Sequence, residues 1–307
     1  MNSGRYASID VGTNSAKITI ADLTEHAATL VLDQSQITRL GEGMQPNQLY
    51  LREVPMRRTL EALEQFAILA QQAKVEGIAV VGTAALRDAQ NTAEFLHRVQ
   101  ERTGLPLEVI SGEEEARLSY LAVRRDPLWR ESTSLVVIDV GGGSTEVILG
   151  EHDTILSRMS VNLGAVKITE NYLRSDPPTV TQLDTANQIA QEGFAQVPLE
   201  HDLSNATVVG VGGTITNLTA MHLGKFCSPE VLHGALLTTD ALAEQIYHLS
   251  TLSLESRKQI QGLDPKRADI ILGGAILLAQ ALARLETNTL AVSTRGLRWG
   301  VLYDRFW

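Results

Sequence analysis

Residues 10–20 read Asp-Val-Gly-Thr-Asn-Ser-Ala-Lys-Ile-Thr-Ile, and residues 139–149 read Asp-Val-Gly-Gly-Gly-Ser-Thr-Glu-Val-Ile-Leu. Asp, Val, Gly and Ser are identical in register, at an offset of 139 − 10 = 129 positions. Each copy follows one apolar strand and leads into another, which is typical of a β-hairpin with a tight tip. The repetition predicts one ancestral unit used twice, with two halves that face each other across a cleft.

The rest of the chain predicts an α/β protein of two lobes. Strand-like runs alternate with helical ones through both halves, and 307 residues exceed what one hydrophobic core usually serves. A break at Asp126-Pro127 separates the halves, so we expect a boundary near residues 126–131 and lobes at 1–127 and 128–307. The final helix, near residues 297–306, is a candidate to pack back on the first lobe.

Composition limits the partners and the compartment. A net charge of −10 argues against a general nucleic-acid binder, which needs a basic stripe. Cys227 is the only cysteine, so no intrachain disulfide is expected and a reducing compartment fits. The sequence contains no evident signal peptide or membrane span. We expect a soluble, cytoplasmic protein with no membrane partner, and the sequence leaves a homodimer open.

The paired turns are candidates for binding phosphate and a metal ion. Glycines such as Gly142 and Gly143 let backbone N–H groups approach an anion. Ser15, Ser144 and Thr145 can add hydroxyl donors, and Asp10 and Asp139 at the strand ends can hold Mg²⁺ with its waters. The alternative is an ordinary hairpin turn, which two copies in register make the weaker interpretation. A third glycine-rich stretch, residues 209–217, leads from a strand into a helix and suggests anion binding at Gly213 and Thr214. Close strand–helix packing is its alternative.

Residues 111–117, Ser-Gly-Glu-Glu-Glu-Ala-Arg, predict a helix start. Two of its three glutamates have local structural roles, and the third has none. Ser111 and Glu114 form a capping-box pattern, and Glu113 is four residues from Arg117. Glu115 shares a helix face with apolar residues, so it can point inward and act as a general base.

Arg87 follows a predicted strand and a small-residue turn. In that position it can clamp phosphate oxygens, or form a salt bridge with Asp88. With no covalent nucleophile evident, direct attack by water is the expected chemistry.

Together these motifs resemble the exopolyphosphatase/guanosine pentaphosphate phosphohydrolase family, within the superfamily of actin, sugar kinases and heat-shock chaperone ATPases. The resemblance covers essentially the whole chain and rests on residues 8–15, 39–43, 82–87, 111–117, 138–146, 213–214, 262–274 and 293–298.

The resemblance implies two ribonuclease-H-like lobes with the site in the cleft. It implies that Glu115 activates water, and that Asp10, Asp139 and Glu146 serve the metal, Mg²⁺ or Mn²⁺, and the attacking water. It further implies that Arg87, Asn14-Ser15 and residues 142–145 bind phosphate.

The expected reaction is hydrolysis of the terminal phosphoanhydride of inorganic polyphosphate. Trp299 departs from the glutamate that many members carry, so that loop is expected to differ in shape. Long members add helical C-terminal domains, and without such domains short polyphosphates are the expected substrate. Guanosine pentaphosphate is the alternative substrate. A non-catalytic sensor of polyphosphate or guanosine tetraphosphate, and an ATP-dependent kinase, are the alternatives of other classes.

Overall fold

In the computed structural model, which describes residues 3–44, 48–198 and 205–307, the chain divides into two compact units. The first unit comprises Met1–Ala122 and Leu297–Trp307, and the second comprises Val123–Gly296. The sequence placed the boundary at residue 127. The chain instead passes from the first unit to the second inside a helix, Gly112–Arg124, where no turn residue marks the boundary.

The first unit is built on a five-stranded sheet of order β3-β2-β1-β4-β5. β1 pairs antiparallel with β2 and parallel with β4, so the sheet is mixed. Its strands are β1 Gly4–Val11, β2 Ser15–Leu23, β3 Ala28–Ile37, β4 Gly77–Gly82 and β5 Leu107–Val109, and its helices are α1 Glu53–Gln72, α2 Ala84–Asp88, α3 Thr92–Thr103 and α4 Gly112–Arg124.

The second unit is built on a six-stranded sheet of order β10-β11-β9-β6-β7-β8. Its strands are β6 Ser134–Val140, β7 Thr145–Glu151, β8 Thr154–Val161, β9 Thr207–Val211, β10 Leu236–Thr238 and β11 Thr289–Val292. Its helices are α5 Ala165–Tyr172, α6 Val180–Phe194, α7 Gly213–His222, α8 Pro229–Leu232, α9 Thr239–Thr251, α10 Leu254–Arg257 and α11 Ile271–Arg284.

The two sheets share one topology, which extends the repetition from eleven residues to a whole unit. In each, a hairpin of the first two strands is extended by the third, while the fourth strand pairs parallel on the other side of the first. β10 is an addition at the edge of the second sheet. The predicted α/β class and the repeated unit are confirmed.

The last helix, α12 Leu297–Phe306, belongs to the first unit. Its apolar residues, including Trp299 and Leu302, pack with Tyr6 of β1 and Ala122 of α4. A methyl group at Gly300 would overlap the backbone of Leu118, so only glycine allows this approach of two helices. Trp299 is 3% exposed and is therefore part of this core.

Some local predictions were wrong. The small residues before Arg87 were predicted to form a turn, but they belong with Arg87 to the short helix α2. The apolar run that ends near residue 285 predicts a helix over residues 266–285, but the structure has a 3-10 turn at Pro265–Arg267 and α11 begins at Ile271. None of the helices in the described residues is long and apolar enough to span a membrane.

Candidate active site

The two repeated turns have the same backbone geometry. Gly12 N–H donates to the Ser15 carbonyl at 3.0 Å, and Gly141 N–H donates to the Ser144 carbonyl at 3.0 Å. Asn14 and Ser15 are buried, at 5% and 6% exposure, so the first turn is packed into its unit.

Asp10 is the penultimate residue of β1, beside the first turn, and is 9% exposed. Its Oδ1 atom is buried without a hydrogen-bond partner. Burial raises the pKa of Asp10, and the charges of Lys17 and Arg298 oppose that shift. Lys17 lies directly opposite Asp10 in the β1–β2 pair. An unsatisfied carboxylate oxygen near cations fits a ligand that would complete its coordination.

Glu115 is buried, at 8% exposure, as its helix face predicts. Arg87 Nη1 donates to Glu115 Oε2 at 2.6 Å and to the Ile110 carbonyl at 3.1 Å. The guanidinium therefore orients the carboxylate and is itself fixed by the backbone before α4. The predicted base and the predicted phosphate-binding arginine are direct neighbours, which their separation of 28 residues did not indicate.

The other glutamates at the start of α4 differ in part from the prediction. Glu114 N–H donates to Ser111 Oγ at 3.1 Å, which gives the expected cap. Arg117 donates to Glu114 through two nitrogens, at 2.7 and 2.8 Å, whereas the sequence paired it with Glu113. Arg117 also bonds Asp304 of α12 at 2.7 Å, because α12 lies against α4 in the first unit.

Asp139 and Glu146 lie opposite each other in the β6–β7 hairpin of the second unit. Glu146 is fully buried and accepts a hydrogen bond from Ser160 Oγ of β8 at 2.7 Å. Ser160 is also its register partner across β7 and β8. Two carboxylates on neighbouring strands, one fixed by a hydroxyl, form an oxygen-rich set that suits a hard cation.

The glycine-rich start of α7 approaches this carboxylate pair. A methyl group at Gly212, whose φ is +95°, would lie 2.5 Å from Asp139 Oδ1. One at Gly213 would lie 2.6 Å from the Arg267 guanidinium. Burial lowers the pKa of Arg267, opposed by the charges of Asp264 and Asp269. Asp139, the first turn of α7 and Arg267 thus lie together, with Thr214 buried in that turn.

Thr145 has a different role from the one predicted. Its hydroxyl is fully buried and donates to the Leu163 carbonyl at 2.8 Å. This bond uses the one proton that Thr145 could offer to a phosphate, so the side chain supports the turn from behind.

The predicted site residues thus form two groups. Asp10, Asn14, Ser15, Arg87 and Glu115 belong to the first unit, and the remaining ones, Asp139, Gly142, Gly143, Ser144, Thr145, Glu146, Gly213 and Thr214, belong to the second. Within the described residues no three His, Cys, Asp or Glu side chains gather as a ready metal site.

Sequence reasoning missed four polar residues at these groups: Lys17, Ser160, Arg267 and Arg298. Lys17 and Ser160 are cross-strand neighbours of predicted residues, which strand pairing alone reveals.

A duplicated α/β unit with glycine turns and buried carboxylates defines a protein of the actin-like ATPase fold built for phosphate chemistry. The chain belongs to the Ppx/GppA phosphatase family, whose model matches residues 19–306. It is therefore a phosphoanhydride hydrolase.

Among curated relatives, exopolyphosphatase 2 of Mycobacterium tuberculosis is 35% identical over 92% of this chain and 91% of its own length. A guanosine-5'-triphosphate,3'-diphosphate pyrophosphatase of Vibrio vulnificus is 29% identical, and the chain spans 59% of that protein's length.

Solved structures agree with the family. The Aquifex aeolicus PPX-GPPA enzyme superposes with a TM-score of 0.82 at 33% identity, covering 99% of this chain and 100% of that one. An exopolyphosphatase from Cytophaga hutchinsonii has a TM-score of 0.88 at 26% identity, with 98% and 97% coverage.

Proposed function

We propose that this chain is an exopolyphosphatase, which hydrolyses the terminal phosphoanhydride of inorganic polyphosphate in the cytoplasm. The observation that carries the proposal is the match to an exopolyphosphatase over nearly the full length of both chains. The match to the guanosine pentaphosphate enzyme covers little more than half of that relative, so it supports the alternative substrate less.

In this proposal a water molecule attacks the terminal phosphorus. The new P–O bond forms as the bridging P–O bond breaks, which releases inorganic phosphate and a chain one unit shorter. Glu115 takes the proton from the attacking water, and Arg87 holds the Glu115 carboxylate in place at 2.6 Å. The departing chain leaves as a phosphate anion and needs no further acid at neutral pH.

The residues present fit a divalent metal ion, Mg²⁺ with Mn²⁺ as a substitute. Asp10 has a buried oxygen without a protein partner, and Asp139 stands opposite Glu146. Asp139 and Glu146 would hold the ion, whose charge would neutralise phosphate oxygens during attack, and Asp10 is a separate candidate ligand in the first unit. Glu146, held by Ser160, would also orient the water.

Each unit offers backbone and side-chain donors that would bind phosphate. In the first unit these are Asn14, Ser15 and Arg87. In the second they are Gly142, Gly143, Ser144, Gly213 and Thr214, to which the structure adds Arg267 beside Gly213.

The test is phosphate release from polyphosphate of short and medium length, guanosine pentaphosphate and ATP, with Mg²⁺ or EDTA. Glu115→Gln preserves shape and removes the base, so we expect a rate lower by about 10²–10⁴-fold with substrate binding retained. Preferred release from guanosine pentaphosphate would select the alternative substrate. Binding of polyphosphate by the wild type without release under any metal condition would make the protein a sensor.

A further inference from the structure

A Leu-Gly pair follows the third strand of each sheet, at Leu40-Gly41 after β3 and at Leu163-Gly164 after β8. Neither pair carries a chemically reactive side chain. Both leucine–glycine segments lie against the back of the glycine turn of their own unit. The repetition therefore extends to a second motif outside the Asp-Val-Gly hairpins.

In the first unit the segment donates three backbone hydrogen bonds to the turn. Gly41 N–H donates to the Thr13 carbonyl at 2.9 Å. The N–H groups of Thr38 and Arg39 both donate to the Asn14 carbonyl, at 3.1 and 2.9 Å. Arg39 has a φ of +51°, unusual for a residue with a side chain, so the segment accepts backbone strain to make these bonds.

The second unit repeats this arrangement with different residues. Ala165 and Val166 N–H donate to the Gly141 and Gly142 carbonyls, each at 2.9 Å. The Leu163 carbonyl in turn accepts the Thr145 hydroxyl bond. In both units two consecutive carbonyls of the turn are held by the segment that contains the Leu-Gly pair.

Fixing a carbonyl also fixes the N–H of the next residue. A trans peptide is planar, with its C=O and N–H pointing in opposite directions. The held carbonyls therefore direct the N–H groups of Asn14 and Ser15, and of Gly142 and Gly143, away from the Leu-Gly segment. The same bonds keep carbonyl lone pairs, which would repel an anion, at the back of the turn.

In the wild-type protein, a side chain at the second position of each pair would overlap the turn. A methyl group at Gly41 would overlap the Thr13 Cγ2 methyl, and one at Gly164 would overlap the Gly142 carbonyl group and the Gly143 nitrogen. The two obstacles differ in kind. The first is a side-chain methyl that a substitution can remove, and the second is the turn's own backbone.

We propose that Leu40-Gly41 and Leu163-Gly164 are matched positioning elements, which set the direction of the phosphate-binding amides in the two turns. The substrate part of this inference rests on the proposed function. Gly41 and Gly164 touch no substrate and act through the turns that they support.

The steric difference gives a rescue experiment. Gly41→Ala should raise the KM for polyphosphate by about tenfold or more, the effect of weakening one or two hydrogen bonds to a charged group. Thr13→Ser removes the obstructing methyl and keeps the hydroxyl. The double variant Thr13→Ser/Gly41→Ala should return to within about threefold of Thr13→Ser alone.

Gly164→Ala should raise the KM equally without any such rescue by Thr13→Ser. Gly4→Ala is the matched control, because its methyl would meet only the terminal carboxylate of Glu76, which can move. A tenfold KM effect from Gly4→Ala, or an unchanged KM in folded Gly41→Ala, overturns the inference. A double variant that regains the wild-type melting temperature but not the wild-type KM also overturns the inference.

Amide NMR on the wild type gives a second readout that needs no variant to fold. On titration with inorganic phosphate, the amides of Asn14, Gly142 and Gly143 should shift more than those of Gly104 and Gly224. Phosphate release from polyphosphate with these amides silent rejects the positioning role and leaves the proposed function standing. Shifts at these amides without any hydrolysis reject the function and leave the positioning role standing.

Discussion

Lys17 and Glu146 occupy the same position in the two copies of the hairpin, seven residues after Asp10 and Asp139, and each lies directly opposite its aspartate. The duplication has thus kept the aspartate and inverted the charge of its neighbour. In the first unit the neighbour's charge counteracts the raised pKa of Asp10. In the second unit two carboxylates adjoin, an arrangement that repels itself unless a cation intervenes.

This inversion of charge predicts that the Mg²⁺ requirement of phosphate release depends mainly on residues of the second unit. Glu146→Gln should raise the Mg²⁺ concentration for half-maximal phosphate release by about tenfold or more, because one of two adjoining carboxylates is lost. Lys17→Gln is the matched control at the equivalent position. It removes a positive charge and should leave the Mg²⁺ requirement equal or lower. A higher Mg²⁺ requirement in Lys17→Gln than in Glu146→Gln would contradict this assignment.

Ser160 should affect Mg²⁺ affinity only through its hydrogen bond to Glu146. Ser160→Ala removes the 2.7 Å hydrogen bond that fixes the carboxylate, and loss of such an outer partner lowers metal affinity by about 10–100-fold. The measurement is Mg²⁺ activation of phosphate release at saturating polyphosphate. In a Glu146→Gln background the same substitution should have little further effect. Equal effects in both backgrounds would show that Ser160 acts independently.

Asp10 should reduce stability in the absence of metal. Its ordinary pKa is 3.8 and burial raises the folded-state pKa, so at neutral pH folding must bury a charge that the unfolded chain exposes to water. Asp10→Asn should therefore raise the melting temperature in EDTA. The gain should be complete above the raised pKa and vanish below pH 3.8, where the carboxyl is protonated in both states.

Melting curves in EDTA from pH 8 to pH 3.5 measure this gain. Mg²⁺ should stabilise the wild type more than Asp10→Asn, and the variant should release little phosphate. A variant less stable than the wild type at pH 7 in EDTA would show that the ionised carboxylate stabilises the fold.

Arg87 should have two separable roles. Arg87→Ala removes a proposed phosphate contact, which raises KM, and releases Glu115, which lowers kcat. The effects of Arg87→Ala and Glu115→Gln on kcat should be non-additive, because both substitutions act on one hydrogen-bonded pair. In the Glu115→Gln background, Arg87→Ala should still raise KM but lower kcat by less than about threefold. A full, additive loss of kcat would separate Arg87 from the base.

The sequence predicted most of the fold because the repeated hairpins combine hydrophobic alternation with turn glycines, two local signals that agree. It failed where the cause is non-local. No residue near Arg87 in the sequence indicates that Glu115 Oε2 lies 2.6 Å from Arg87 Nη1. Ser160 is identified only by the register of β7 and β8, which places it opposite Glu146.

Packing explains the remaining errors. The crossing between units lies inside α4, which is continuously helical and so offers no boundary signal. Thr145 has the composition of a phosphate donor, yet its orientation is decided by the Leu163 carbonyl, eighteen residues away.

The placement of α12 in the first unit has a consequence for synthesis of the chain on the ribosome. Gly300 lies against Leu118, Asp304 bonds Arg117, and the Arg298 carbonyl accepts a bond from Ser8 in β1. The half translated first therefore lacks part of its own core until residues 297–307 have emerged. The second unit is one continuous segment and has all its residues earlier. The order of folding should thus be the reverse of the order of translation, with the amino-terminal half completed last.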